Sequence, residues 1–219
     1  MVPVHPVLPV GKSRSVVIWP DGTIVFPAEV VRHLGWQVGK RIAVSYLEAT
    51  LILFFSSSTD QPGFILHSIG RDTESGNSAS KVRVSKLANQ VIRPRIKLPV
   101  RGLEPIYLPT TTSFEMALNL EPWSWFETTF DASGAESIPA RQVGLYEIMS
   151  ADGRILRIGE GFVQVRCREH LKNGDLIRSG RGLRYLPLEK TDSVLLEQVA
   201  LAEYRAKFGA LPPFNAISQ

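Results

Sequence analysis

A single cysteine, Cys167, in 219 residues excludes an intramolecular disulfide framework and a cysteine-rich zinc site. Structural disulfides are a habit of oxidising compartments, so a reducing, cytoplasmic setting is expected. No apolar run approaches the roughly 18 residues that a membrane-spanning helix needs. The opening Met-Val-Pro-Val-His-Pro lacks the charged and apolar regions of a secretory signal. No membrane partner is therefore expected. Charge of one sign is missing twice. Residues 81–101 contain no acid, and residues 111–140 contain neither lysine nor arginine but 5 acids.

What is present fits a globular chain, with 44% hydrophobic and 21% charged residues and a formal net charge of +4. The charge is segregated. Residues 1–110 hold 13 Lys/Arg against 7 Asp/Glu, and residues 141–219 hold 12 against 9. Two basic blocks flanking an acidic stretch point to two units that face a polyanion. The expected organisation is a β-rich basic domain over 1–110, an acidic aromatic connector over 111–140 and an α/β domain over 141–219. The overall class is α+β.

In the first block, Val16-Val17-Ile18-Trp19 and Thr23-Ile24-Val25-Phe26 predict strands joined at Pro20-Asp21-Gly22. A helix starting near Pro27 and stopping at Gly35 follows, then strands over 41–46 and 51–55. The order D-G-x-I-x-x-P-x-x-V-x-x-x-L-G-x-x-x-G-x-x-I-x-V over about 16–55 resembles the AbrB/SpoVT family of swapped-hairpin modules. That resemblance implies DNA binding and a homodimer. Residues 71–80 are expected to be a polar loop. Lys81, Arg83, Lys86, Arg93, Arg95, Lys97 and Arg101 then form an acid-free run. Alternation over 93–98 predicts a strand with its three cations on one face, suited to phosphate contact without sequence readout. These seven are the candidate nucleic-acid-binding residues. In the acidic stretch a short helix is expected around Phe114–Leu118, and 133–139 is the expected domain boundary.

The last block carries the chemistry. Val143–Ile148 and Ile155–Gly159 are alternating runs joined through Asp152-Gly153, a hairpin signal. Phe162–Leu171 has helical spacing, and Arg166 and His170, four apart, share one helix face. A turn at 172–175, a strand over 182–187 and a longer helix from Thr191 to about Phe208 complete the order β-β-α-β-α. Gly-Leu-Tyr, Arg-Ile-Gly, Arg-x-x-x-His and the closing Pro-Pro-Phe-Asn resemble the GIY-YIG nuclease family over about 141–217. The resemblance implies a three-stranded antiparallel sheet flanked by helices and a metal-dependent endonuclease acting on DNA. It implies that Tyr146 positions or activates water, Arg166 binds phosphate, His170 assists proton transfer and Asn215 orders the site. It implies one divalent cation, Mg2+ or Mn2+, on a glutamate matched to Glu197, with Glu203 as rival.

One departure stands out. Arg157 occupies the place of the family's second tyrosine, trading a phenol for a phosphate-binding cation. Two other classes stay open: a non-catalytic DNA-binding regulator with a degenerate nuclease domain, and a nuclease directed at RNA. Cys167 is expected in the core, because an arginine neighbourhood alone does not make a reactive thiol.

Overall fold

The computed structural model describes residues 15–47, 50–57, 62–69, 79–109 and 113–215. The expected polar loop at 71–80 lies outside them except for its last two residues. The chain is α+β and divides into two units, 1–122 and 123–219. Among the described residues no helix is long and apolar enough to cross a membrane.

The first unit runs β1 (Val16–Ile18), β2 (Thr23–Phe26), α1 (Ala28–His33), β3 (Arg41–Leu47), β4 (Ile52–Ser56), β5 (Phe64–Ile65), β6 (His67–Ser68), β7 (Ser80–Arg83), α2 (Ser85–Leu87), β8 (Val100–Leu103), β9 (Ile106–Tyr107) and β10 (Met116–Asn119). They form two antiparallel five-stranded sheets, ordered β6-β7-β2-β1-β8 and β5-β3-β4-β10-β9. Both sheets send alternate residues into one core, with Ile18, Ile24, Phe26 and Val82 from the first and Ile42, Leu53, Phe55 and Leu118 from the second. Phe26 packs edge-on against both Trp36 and Phe55, with ring centroids 5.3 and 5.4 Å away.

Two expectations fail here for physical reasons. Residues 93–98 are not a strand. The helical path of α2 continues as a π-helical turn over Ala88–Ile92, because Ala88 and Ile92, four apart, are both fully buried. The chain leaves that turn at Pro94, so Arg93, Arg95 and Lys97 do not share a strand face. Residues 114–118 are not a helix either. Met116, Ala117 and Leu118 are all buried as β10, which lies between β4 and β9.

The second unit runs β11 (Phe126–Thr129), α3 (Ala132–Ser137), β12 (Val143–Ser150), β13 (Ile155–Phe162), α4 (Val163–His170), α5 (Gly174–Ser179), β14 (Gly180–Pro187) and α6 (Lys190–Phe208). Its antiparallel sheet has four strands, ordered β11-β14-β12-β13, rather than the three expected. The extra strand comes from 111–140, which is divided between the units instead of forming a connector. The expected boundary at 133–139 is mostly α3, whose first turn is capped by Asp131 accepting from the Gly134 N–H at 2.8 Å. The expected turn at 172–175 leads straight into α5, with Asn173 Oδ1 accepting from two backbone N–H groups.

Tyr146, Ile148, Leu183 and Tyr185 line one face of this sheet and pack with Ala135, Val163, Cys167 and Leu176 of α3, α4 and α5. Leu145 and Glu147 alternate to the opposite face. The long helix α6 packs along β12 and β13 and buries Leu196, Val199 and Ala200. It ends at Gly209, whose φ of +78° gives the left-handed cap.

Candidate active site

The β12–β13 hairpin turns at Gly153, with φ +78°, and Ser150 closes it by donating to Asp152 and to the Arg154 carbonyl at 3.2 Å. Its register pairs Tyr146 with Gly159 and Ile148 with Arg157. Paired residues point to the same face, so the Tyr146 ring lies over Gly159. A Cβ at residue 159 would sit 2.3 Å from the tyrosine hydroxyl, which is why a glycine stands there. Gly161, at φ +121°, turns β13 into α4 in a conformation that other residues rarely adopt. The first turn of α4 is then fixed by the Val163 N–H donating to the Gln142 carbonyl at 2.9 Å, and by Gln164 donating to the Ala135 and Ile138 carbonyls at 3.2 and 2.8 Å.

This placement carries the α4 side chains to the hairpin. Tyr146 Oη lies 2.7 Å from His170 Nε2. Tyr146 is 2% exposed, and burial pushes its pKa up to about 12 against the pull of the Arg157 and Arg166 charges, so it is a phenol at neutral pH. Burial, reinforced by the same two guanidinium groups, depresses His170 to about 4, so its ring is neutral. One ring nitrogen of neutral imidazole is an acceptor. The pair therefore fits a phenol donating to Nε2.

The two arginines are held differently. Arg157 donates to the Phe214 carbonyl, while its buried Nε has no partner. Arg166 is half exposed and pairs with Glu169 one turn along α4 at 2.9 Å. Asn215 pins the C-terminal segment to β13. Its Oδ1 accepts from the Ile158 N–H at 2.8 Å and its Nδ2 donates to the Ile158 carbonyl at 2.7 Å. That clamp, with the Phe214 N–H donating to the Leu156 carbonyl at 3.0 Å, sets the strand on either side of Arg157. Asn215 thus acts as a positioning residue.

Glu197 of α6 belongs to this cluster. Burial and then the Glu160 charge raise its pKa, opposed by Arg157, Arg166 and Lys190. Glu203, also raised by burial, has Lys207 as its charged neighbour and acts on Glu147 at the other face. The arrangement brings Glu197 to Tyr146, Arg157 and Arg166 and does not bring Glu203 there.

Three residues beside the site escaped the sequence reading. Glu160 accepts from Lys190 Nζ and from Ser193 Oγ at 3.2 Å. The signal for Glu160 was its place directly after Gly159; Lys190 and Ser193 carried none until α6 was placed. Glu147 is a further buried acid, 3% exposed, that pairs with Arg184 at 2.6 Å. Arg184 also stacks over Trp125, 4.6 Å from the ring centroid. Cys167 is fully buried, and burial lifts its thiol to about 11, which places it in the core.

Among the described residues there is no group of three or more His, Cys, Asp or Glu side chains that would hold a metal by themselves. The carboxylates available are Glu197 and, nearby, Glu160, whose charge adds to the cost of ionising Glu197. That fits Mg2+ or Mn2+, which typically takes one or two carboxylates and completes its shell with water and substrate phosphate.

The seven basic candidates of the first unit are exposed but not alike. Lys81 and Arg83 alternate outward on β7, and Lys86 follows on α2. Arg93 donates to the Pro20 carbonyl, and Arg101 lies over the Trp19 ring at 5.3 Å. Arg95 is ion-paired with Glu121. Lys97 stands in the segment before β8.

No protein-family profile, curated protein or solved structure is matched by this chain.

Proposed function

We propose that the second unit is a metal-dependent endonuclease that hydrolyses DNA phosphodiesters, and that the first unit binds the DNA. The observation that carries this reading is the convergence of the Tyr146–His170 pair, two arginines and Glu197 on one hairpin. Phosphodiester hydrolysis needs a route for the water proton, cations beside the phosphate and neutralisation of the departing oxygen.

The scissile phosphate sits between Arg157 and Arg166. Water is positioned by the lone pairs of Tyr146 Oη. As the water oxygen forms its bond to phosphorus, its proton passes to Oη and the phenol proton passes to His170 Nε2. The P–O bond to the leaving oxygen breaks at the opposite side, and that oxygen takes a proton from solvent. The phosphate's own charge offsets the two guanidinium groups that depress His170, so the imidazole gains basicity when substrate is bound. Bound at Glu197 with Glu160 beside it, the divalent cation supplies Lewis-acid polarisation of a phosphoryl oxygen and charge neutralisation. Arg157, in place of a second tyrosine, adds a guanidinium charge beside the phosphate.

The test is Mg2+- or Mn2+-dependent conversion of supercoiled plasmid to nicked form, with Arg166→Ala and Glu197→Gln run beside the wild type. Cleavage that both variants lose supports the reading. No cleavage of any DNA by a folded wild type overturns it in favour of a DNA-binding regulator, and cleavage confined to RNA moves the substrate class.

A further inference from the structure

The strand pairings of the first unit repeat. The β1–β2 hairpin has its counterpart in β6–β7, and the β3–β4 hairpin in β9–β10. The pairing of β1 with β8 is mirrored by that of β5 with β3. Two ladders are reciprocal. In β2–β7, Ile24 faces Val82, with Val25 opposite Lys81 and Thr23 opposite Arg83. In β4–β10, Leu53 faces Leu118. A two-fold axis through the Ile24/Val82 and Leu53/Leu118 pairs exchanges the halves, as in an isologous dimer. Core positions follow it: Phe26 matches Val84, Val30 matches Ala88, and Leu51 matches Met116. The edges are closed as well. The run β5–β6 pairs with β3 and then with β7, and the run β8–β9 with β1 and then with β10, so each run joins an edge of one sheet to an edge of the other.

The surface does not follow the axis. Lys81, Arg83, Lys86 and Arg93 of the second copy correspond to Thr23, Val25, Ala28 and Gly35 of the first. Of these, Arg83 and Arg93 reach the β1–β2 turn, where Arg101 lies over the 40%-exposed Trp19. Arg83 reaches Asp21, the acid of that turn, at 3.7 Å, and Arg93 reaches the Pro20 carbonyl. A cationic face beside an exposed indole suits a nucleic-acid backbone.

We infer that residues 16–120 are two copies of one unit that complete a closed barrel within a single chain, and that this barrel grips duplex DNA through the cations of its second copy alone, one chain to one duplex. The inference rests on the DNA-binding part of the function proposed above. It replaces the homodimer that the swapped-hairpin resemblance implies for this unit with an internal partner.

The test uses the full chain carrying Glu197→Gln, without divalent metal, titrated against a labelled short DNA duplex by fluorescence anisotropy. The mass of the complex is read by sedimentation. One chain per duplex is expected. Lys81→Ala with Arg83→Ala lowers affinity on every sequence and flattens the slope of log K against log salt by about 2. Arg32→Ala with Lys40→Ala, cations of the first copy, leaves both unchanged. Thr23→Lys with Val25→Arg, which restores the missing charges, steepens the slope. Two chains per duplex, equal losses from both sets of alanine variants, unaffected binding or preference for single-stranded RNA each overturn the inference. Cleavage plays no part in this readout, so a failure of the nuclease and a failure of this interface are seen separately.

Discussion

Acidification should unfold the wild-type chain more readily than a His170→Gln variant, and the difference measures how strongly the site excludes a third positive charge. In the folded chain His170 takes up its proton only near pH 4, because the ring is buried and faces Arg157 and Arg166, whereas its ordinary value is 6.5. Between those limits the unfolded chain binds more protons, so stability is lost as pH falls from about 6.5 towards 4. The full separation corresponds to about 3 kcal/mol. The ring keeps some contact with solvent, which reduces the expected loss to about 1–2 kcal/mol. Glu147, Glu197 and Glu203 have raised values and act in the opposite sense, holding their protons more tightly when folded. The wild-type pH curve alone therefore mixes two signs. Urea unfolding of both proteins from pH 7 down to pH 4 isolates His170, since the carboxylate contributions are common to both. The glutamine side chain of the variant still offers the Tyr146 hydroxyl an acceptor. The stability difference should shift by about 1–2 kcal/mol in favour of the variant on acidification. A constant difference across the range would show that the ring titrates normally, and its burial within reach of the two arginine charges would be wrong.

Other outcomes follow from the same geometry. Tyr146→Phe should lower metal-dependent nicking by about 10²–10⁴-fold and cost about 1–3 kcal/mol, because a buried His170 nitrogen is left without its partner; full activity in the phenylalanine variant would remove the phenol from the proton route. Glu197→Gln should abolish metal-dependent nicking while Glu203→Gln leaves it, and the reverse pattern in a plasmid assay would transfer the cation to Glu203. Asn215→Ala removes two hydrogen bonds to Ile158 and should cost about 1–3 kcal/mol in urea unfolding. It should also lower kcat more than it raises KM, because Arg157 loses its setting. Gly159→Ala drives a methyl group into the Tyr146 hydroxyl and should lower activity at least as far as Tyr146→Phe does. An active, normally stable alanine variant would mean that the ring does not lie over residue 159.

Much of the second unit was legible because its signals are local. The Asp152-Gly153 turn, the alternation in Val143–Ile148 and the four-residue spacing of Arg166 and His170 are read within a few positions, and the hairpin and α4 form where they predict. Tyr146, Arg157, Arg166, His170, Glu197 and Asn215 are drawn together by one hairpin, two helices and one returning segment. Glu160, Lys190 and Ser193 were not legible as a group, since their meeting depends on how α6 crosses β13. Local pattern also misled where burial overrode it. Met116–Leu118 is apolar without a period because β10 lies between two strands and packs on a full core, and a short unbroken run of that kind looks the same in a helix. Likewise Phe126–Thr129 is mostly exposed at the sheet edge and carries little alternation to reveal β11.

The repeat in the first unit was hidden for a different reason. An internal two-fold requires matching buried positions, and those are satisfied by any apolar residue of suitable volume: Phe26 by Val84, Val30 by Ala88, Leu51 by Met116. Almost nothing outside the core had to match. The acid-free run from Lys81 to Lys97 stood out as charge while its counterpart from Thr23 to Gly39 stood out as a turn-strand-helix pattern, so the two were read as different objects. Only the strand register makes them the same one. The divergence itself then acquires a physical meaning. Both copies must supply alternating apolar residues to close the barrel, but the phosphate backbone proposed as its partner needs only one cationic face, and a second would add repulsion between copies packed across the axis. Charge has gathered on the copy whose β7, helical turn and β8 bring Arg83, Arg93 and Arg101 to the Trp19 turn, and the other copy keeps the neutral residues that let β2 lie against β7.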